Sequence, residues 1–227
     1  MQPIQKVLTS ILWVLMVVAM VSVIGAGLWR RGASDGSANS SGAAAAASET
    51  ASDLPVLTDV PQFDLIDQDS KPVNLSSLAG KPWIADFVFT HCAGPCPMMT
   101  AKMAALRKEL PADVRFVSFS VDPEHDSPAV LKEYAAKFEG DEPRWRFVTG
   151  NKDTIYKVAA GMLVTAIPAT ADAPIIHDER FILVDGEGRM RGVYHSKDDE
   201  AMAALKRDAA ALALASSTTT STTAAGK

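Results

Sequence analysis

Cysteine and histidine are scarce in this chain, with 2 Cys and 4 His among 227 residues. Two thiols cannot build a four-thiolate zinc knuckle or an iron–sulfur cluster, and they cannot make a multi-disulfide scaffold. Basic residues are also outnumbered, 22 Lys+Arg against 27 Asp+Glu, for a formal net charge of −5, and aromatics make up only 7%. A nucleic-acid footprint wants a basic patch interleaved with stacking rings, so that class of partner is excluded. Apolar residues are plentiful at 48%, but unevenly spread. Much of that fraction sits in one N-terminal run and in alanine-rich tracts. At roughly 100–200 residues per domain, the length allows one domain with appendages or two small ones.

The N-terminal run, Val7 to Trp29, carries no charge. Its roughly 23 residues at about 1.5 Å each give a helix of about 34 Å, enough to cross a bilayer core of about 30 Å. A cleaved signal peptide normally has a shorter apolar region, about 7–15 residues. Residues 1–31 are therefore expected to form a retained anchor. Lys6 and the α-amine on one side balance Arg30 and Arg31 on the other, so positive-inside counting gives no orientation. Residues 32–53 are Gly, Ser and Ala with almost nothing to bury, which reads as a flexible linker. The end, 216–227, has the same character and is expected to be disordered. One domain remains, 54–215, with 18 basic against 24 acidic residues and no internal repeat.

Within that domain the hydrophobic period switches repeatedly. PQFDLIDQDSKPVNL reads as a hairpin with DQDSK at its tip. KPWIADFVF and VRFVSFSV are continuous apolar runs of strand length. Between them, Met99, Met103, Leu106 and Leu110 recur at helical spacing. Ser127-Pro128 opens another helix, with Val130, Leu131, Tyr134 and Phe138 on one side. WRFV is a short strand and Asp153–Leu163 a helix. RFILVDGEGRMRGVYH reads as two strands joined around Asp185-Gly186, and Asp198–Ala213 as a last helix. Strands alternating with helices predict an α/β sheet with helices on both faces.

The chemistry concentrates in Cys92-Ala93-Gly94-Pro95-Cys96-Pro97, directly after a buried strand and opening a helix. Backbone N–H groups and the helix dipole stabilise a thiolate there, so both thiols are expected to have depressed pKa values. Gly-Pro-Cys-Pro is poor core material, which disfavours two ordinary core cysteines. Two thiolates suit Cu(I) and, with imidazole added, Cu(II). A zinc site would need further ligands from elsewhere. His91, His125 and His195 read as solvated loop or edge histidines. His177, in PIIHDERFILVD, sits where a loop could bring it over a helix N-terminus, and the pattern alone leaves ligand and loop readings equally open. Asp86 interrupts WIADFVF six residues before Cys92. A buried lone carboxylate is expensive, so it is either functional or a partly solvated strand-edge residue. Asp122, at the end of the next strand, lies near the same carboxyl end of the sheet, where α/β folds gather ligands.

Taken in order, FDLIDQDSKPVNLSSLAGKPWIADFVFTHC, CAGPCP, FVSFSVDPEHDSP and HDERFILVDGEGRMRG resemble the Sco/SenC family across the whole domain. The cysteine pair with three intervening residues, followed by Pro97, is the most discriminating element. The resemblance implies a thioredoxin-like central mixed sheet flanked by helices, an N-terminal β-hairpin extension and a single N-terminal transmembrane helix. It also implies that Cys92, Cys96 and His177 bind copper, as Cu(I), Cu(II) or both. Asp122, on the family's VDP motif, would have a supporting role.

The partner implied is the CuA domain of cytochrome c oxidase subunit II, with other periplasmic copper carriers or thiol reductants in second place. The resemblance breaks the topology tie. It places the anchor in a bacterial inner membrane and the domain on the periplasmic or exterior side.

Two departures qualify it. Many members have an acidic residue before the ligand histidine, where this chain has Ile176, with Asp178 after it as a candidate orienting group. Thioredoxins have two residues between their cysteines and a proline before the late strand; here there are three, and Pro174 lies three residues upstream of His177. Asp86 nevertheless matches thioredoxin's buried carboxylate in spacing. A thiol–disulfide oxidoreductase, with Cys92 attacking, Cys96 resolving and Asp86 accepting the proton, is therefore the alternative. A peroxidase on a related fold lacks an identifiable Thr/Arg pair to activate peroxide.

Overall fold

The apolar runs and the helical stretches alternate along the chain as their periods predict. The computed structural model describes residues 54–140, 143–167, 176–177 and 179–224. In order the elements are β1 (Thr58–Asp59), β2 (Asp64–Asp67), β3 (Pro72–Asn74), α1 (Leu75–Leu78), β4 (Trp83–Val88), α2 (Pro95–Glu109), β5 (Arg115–Ser120) and α3 (Pro128–Ala136). They continue with β6 (Trp145–Thr149), α4 (Lys152–Gly161), β7 (Ala166–Ile167), β8 (Ile176–His177), β9 (Arg180–Val184), β10 (Arg189–His195) and α5 (Asp199–Ala224). The expected anchor over Val7 to Trp29, the linker, Pro174 and Asp178 lie outside the described residues. Among the described residues no helix is long and apolar enough to cross a membrane.

Eight strands form one mixed sheet in the order β1-β10-β9-β4-β5-β6-β2-β3, and β7 and β8 form a separate two-stranded ladder. β4 and β5 run parallel, as do β5 and β6, while β9 joins β4 antiparallel. All six residues of β4 are buried, the expected outcome for a strand covered on both faces. The predicted N-terminal hairpin is β2–β3, attached to the main sheet through β2 and β6.

Alternation along β4 and β5 divides the core in two. Ile84 and Phe116 pack with Met99, Met103 and Leu106 of α2, Leu131 and Tyr134 of α3, and Leu205 and Leu212 of α5. Trp83, Ala85, Phe87, Val117 and Phe119 face the other way, against Leu78 of α1 and Ile155 and Val158 of α4. Helices therefore cover both faces, as the sequence pattern predicts.

Local chemistry sets the boundaries. Ser127 caps α3, its hydroxyl accepting from the Val130 N–H at 3.4 Å, and Asn151 caps α4 through the Thr154 N–H at 2.9 Å. In the β9–β10 turn, Asp185 Oδ1 accepts from the N–H groups of Glu187 and Arg189 at 2.9 and 3.0 Å. Gly188 takes φ +81°, a conformation that a residue without Cβ adopts freely.

One boundary differs from expectation. The sequence pattern ends the last helix near Ala213, whereas α5 continues to Ala224. Ser216 Oγ and Ser217 Oγ donate to the carbonyls of Leu212 and Ala213 at 2.8 and 2.9 Å. Hydroxyls satisfied by the preceding turn let an established helix propagate into a Ser/Thr run that could not start one.

Candidate functional site

Strand β4 ends at Val88, and the chain crosses six residues before α2 begins at Pro95. Pro95 suits the first helical position, while Gly94, the N-cap, provides no side-chain cap. This turn presents both thiols. Cys92 is half-buried, and its N–H donates to the Phe89 carbonyl at 3.3 Å. Cys96, the second residue of α2, is fully buried, and both cysteines are unbridged. The Cys96 thiol is in hydrogen-bond contact with that of Cys92.

The expectation that both thiols are acidified fails at Cys96. Burial pushes its pKa far up, and contact with Cys92 and the charge of Asp86 add to this, against a smaller opposing effect from the Phe89 backbone. The reason is one of magnitude. A helix terminus stabilises a charge by about 0.3–1 kcal/mol, whereas full burial moves a pKa by as much as ~3–5 units.

Asp86 is fully buried, which overturns the partly solvated reading. Alternation puts it on the sheet face it shares with Ile84, toward α2 and α3. Neither carboxyl oxygen has a hydrogen-bond partner of normal geometry. Burial raises its pKa to about 7, with Ser118, its register neighbour on β5, acting in the opposite direction. Tyr134 and Thr100 complete a polar seam beneath the thiol turn. The Thr100 hydroxyl donates its one proton to the Cys96 carbonyl at 2.9 Å, so in their 2.9 Å contact the Tyr134 hydroxyl donates to Thr100. Burial raises the Tyr134 pKa, so it remains a donor through the neutral range.

The other expected residues are placed less directly. Asp122 is mostly buried, and its carboxyl group bonds His125 Nδ1 at 2.9 Å. Its observed partner is thus a histidine. His177 stands in β8 opposite Ala166 of β7, so a short ladder sets its backbone position. Among the described residues no group of three or more His, Cys, Asp or Glu side chains is arranged to hold a metal ion. The two thiols in contact are the donors already assembled.

Asp126 is a residue that sequence reasoning missed. It is fully buried and accepts from Thr90 N–H at 3.1 Å, from Thr90 Oγ1 at 2.5 Å and from Ser120 Oγ at 2.6 Å. It therefore ties the turn before Cys92 to the end of β5. The available signal was the serine pair in VRFVSFSV, because hydroxyls on the buried face of a strand require an acceptor. Asp126→Asn keeps the shape but weakens two hydroxyl bonds. The expected loss is about 2 kcal/mol of stability in urea unfolding, with faster hydrogen exchange at the Thr90 amide. Unchanged exchange at Thr90 would show that Asp126 does not hold the turn.

A family profile described as SCO1/SenC matches residues 55–211. The SCO1 protein homolog of Bacillus subtilis is 38% identical over 161 residues, covering 67% of this chain and 83% of that protein. The solved structure of BsSco, a member of the Sco family of cytochrome c oxidase assembly proteins in which a disulfide switch was identified, shares 35% identity. It covers 69% of this chain and 95% of that one, with a TM-score of 0.59. Bradyrhizobium japonicum ScoI, solved with copper bound, shares 32% identity and a TM-score of 0.56 over 66% of this chain and 99% of that one. The profile spans the thioredoxin-like sheet from its first edge strand into α5 and includes the turn that pairs the two thiols; the chain belongs to the SCO1/SenC family.

Proposed function

We propose that this chain is a membrane-anchored metallochaperone that holds copper through Cys92, Cys96 and His177 and serves the assembly of cytochrome c oxidase. The observation that carries this reading is the pair of unbridged cysteines in contact at the opening of α2. Two thiolates are soft donors suited to Cu(I), and one neutral imidazole extends the set toward Cu(II). Copper held by a solved relative and the oxidase-assembly role of the Sco family support it. The recipient would be the CuA site of subunit II, supplied with copper or kept with its thiols reduced. Residues 1–31 would anchor the chain in a bacterial inner membrane, and residues 32–53 would let the domain reach a partner on the outer side. Asp122 and Asp178 would act around the ligands rather than as ligands.

The test is a titration of the reduced full chain in detergent with Cu(I) and Cu(II). Removing the imidazole by His177→Ala is expected to weaken Cu(II) binding about 10²-fold and to change its thiolate-to-copper absorption. The scale is that of a structural zinc ion, whose roughly 10–16 kcal/mol over four ligands is about 3 kcal/mol for each. Unchanged Cu(II) affinity and absorption in His177→Ala would overturn the ligand set.

Asp86 favours a second reading, thiol–disulfide exchange. The Cys92 thiolate attacks one sulfur of a partner disulfide and expels the other. Cys96 then attacks the mixed disulfide, leaving Cys92 and Cys96 joined and the partner dithiol carrying two electrons. A buried carboxyl group with a pKa near 7 is suited to take the Cys96 proton. The two readings exclude each other in time, because a disulfide removes two copper ligands.

A further inference from the structure

His91 and His125 read from the sequence as solvated loop histidines, and both are exposed; the fold also brings their rings edge to face, with centroids 5.9 Å apart. One precedes Cys92 and the other lies in the loop after β5. The His125 side chain is 64% accessible.

Proton bookkeeping determines what each ring presents outward. The Thr90 hydroxyl has one proton, and it goes to Asp126 Oδ1. At the 3.3 Å contact with His91 Nδ1, Thr90 Oγ1 must therefore accept, so neutral His91 carries its proton on Nδ1. His125 Nδ1 meets both oxygens of Asp122 at 2.9 Å and likewise donates. In its neutral form each imidazole consequently keeps a lone pair on Nε2, although at His125 the Asp122 carboxylate favours the protonated ring, so an ion there must displace a proton. Each ring is held from behind by an oxygen, the arrangement that orients metal-ligating histidines.

The spacing suits a shared ion. Two imidazoles bound through Nε2 at about 2.0 Å place their centroids roughly 4.5–6 Å apart. From the edge-to-face pose the two exposed rings must turn about their Nδ1 contacts to aim both Nε2 atoms at one point. We infer that His91 and His125 form a second, weaker site for a divalent transition-metal ion on the outer side of the thiol turn. Its donor set differs from that of the thiol site, with two neutral nitrogens, no thiolate, and solvent filling the remaining positions. Imidazole accepts several such ions, and the affinity order of divalent metals puts Cu(II) first, ahead of Zn(II). Asp122 and Thr90 are positioning residues for the site.

The inference does not depend on the ligand set proposed above, and the test keeps the two apart. The full chain in detergent, carrying Cys92→Ser and Cys96→Ser, is titrated with Cu(II) and followed by isothermal calorimetry and electron paramagnetic resonance. One equivalent is expected to bind with nitrogen superhyperfine structure. His91→Ala or His125→Ala should each weaken it at least 30-fold, while His177→Ala leaves it unchanged. Asp122→Asn keeps both ligands and should weaken binding about 10-fold with the nitrogen signature retained. Absence of bound Cu(II), or binding in His91→Ala and His125→Ala as tight as in the parent, overturns the site. Loss of binding in His177→Ala alone would assign the ion to the other ligand set.

Discussion

Cys96→Ser is expected to abolish tight Cu(I) binding while leaving the fold intact. Serine is close to isosteric with cysteine, and the buried position at the second residue of α2 needs no large side chain. Loss of one soft ligand should cost at least about 10²-fold in affinity, by the same sharing of metal-binding energy among ligands, and a hydroxyl is a poor substitute for a thiolate toward a soft ion. The burial that raises the Cys96 pKa adds a second signature in the wild type. Its proton must leave when the metal binds. Apparent Cu(I) affinity should therefore rise about tenfold per pH unit through the neutral range from this proton alone. Competition against a chromophoric Cu(I) chelator at several pH values measures both effects. A Cys96→Ser protein that holds Cu(I) within threefold of wild type would remove Cys96 from the site.

Asp86 carries the second large effect, on stability. Its folded pKa is near 7 against an ordinary value of 3.8, so the fold favours the protonated form. The stability linked to that proton is fully present below about pH 4 and is lost as pH rises through 7. Asp86→Asn imitates the protonated group at every pH. In the reduced, metal-free protein the variant's advantage should be small near pH 4 and grow to about 4 kcal/mol by pH 8, from about three pKa units at ~1.4 kcal/mol each. Urea unfolding at pH 4, 6 and 8 reads the difference directly. An advantage that does not change with pH would mean that Asp86 does not titrate as a buried acid. The same variant bears on the exchange reading, because an amide cannot accept the Cys96 proton.

The elements were largely legible because each shows its own period. β4 and β5 appear as unbroken apolar runs, since both faces of a central strand are covered. α2 appears as Met99, Met103 and Leu106, three and four residues apart, all of which point into the core. The extension of α5 over Ser216 and Ser217 was not legible. Intrinsic preference argues against helix there, and only the turn already formed offers their hydroxyls a carbonyl.

The site divides in the same way. The order of amino acids alone supplied the thiol pair, its place between a strand and a helix, the family resemblance and the suspicion attached to Asp86. These features depend on neighbours in sequence, and a covalent chain keeps such neighbours together. It could not supply the direction of the Cys96 shift, which depends on how deeply the thiol is desolvated. Nor could it show that Asp126, 36 residues after Thr90, anchors the turn before Cys92, or that His125 meets His91. Those contacts arise when β4 and β5 lie parallel and bring their carboxyl ends together. Two of the four scarce histidines, His91 and His125, become a pair because the sheet joins two loops that the sequence keeps apart.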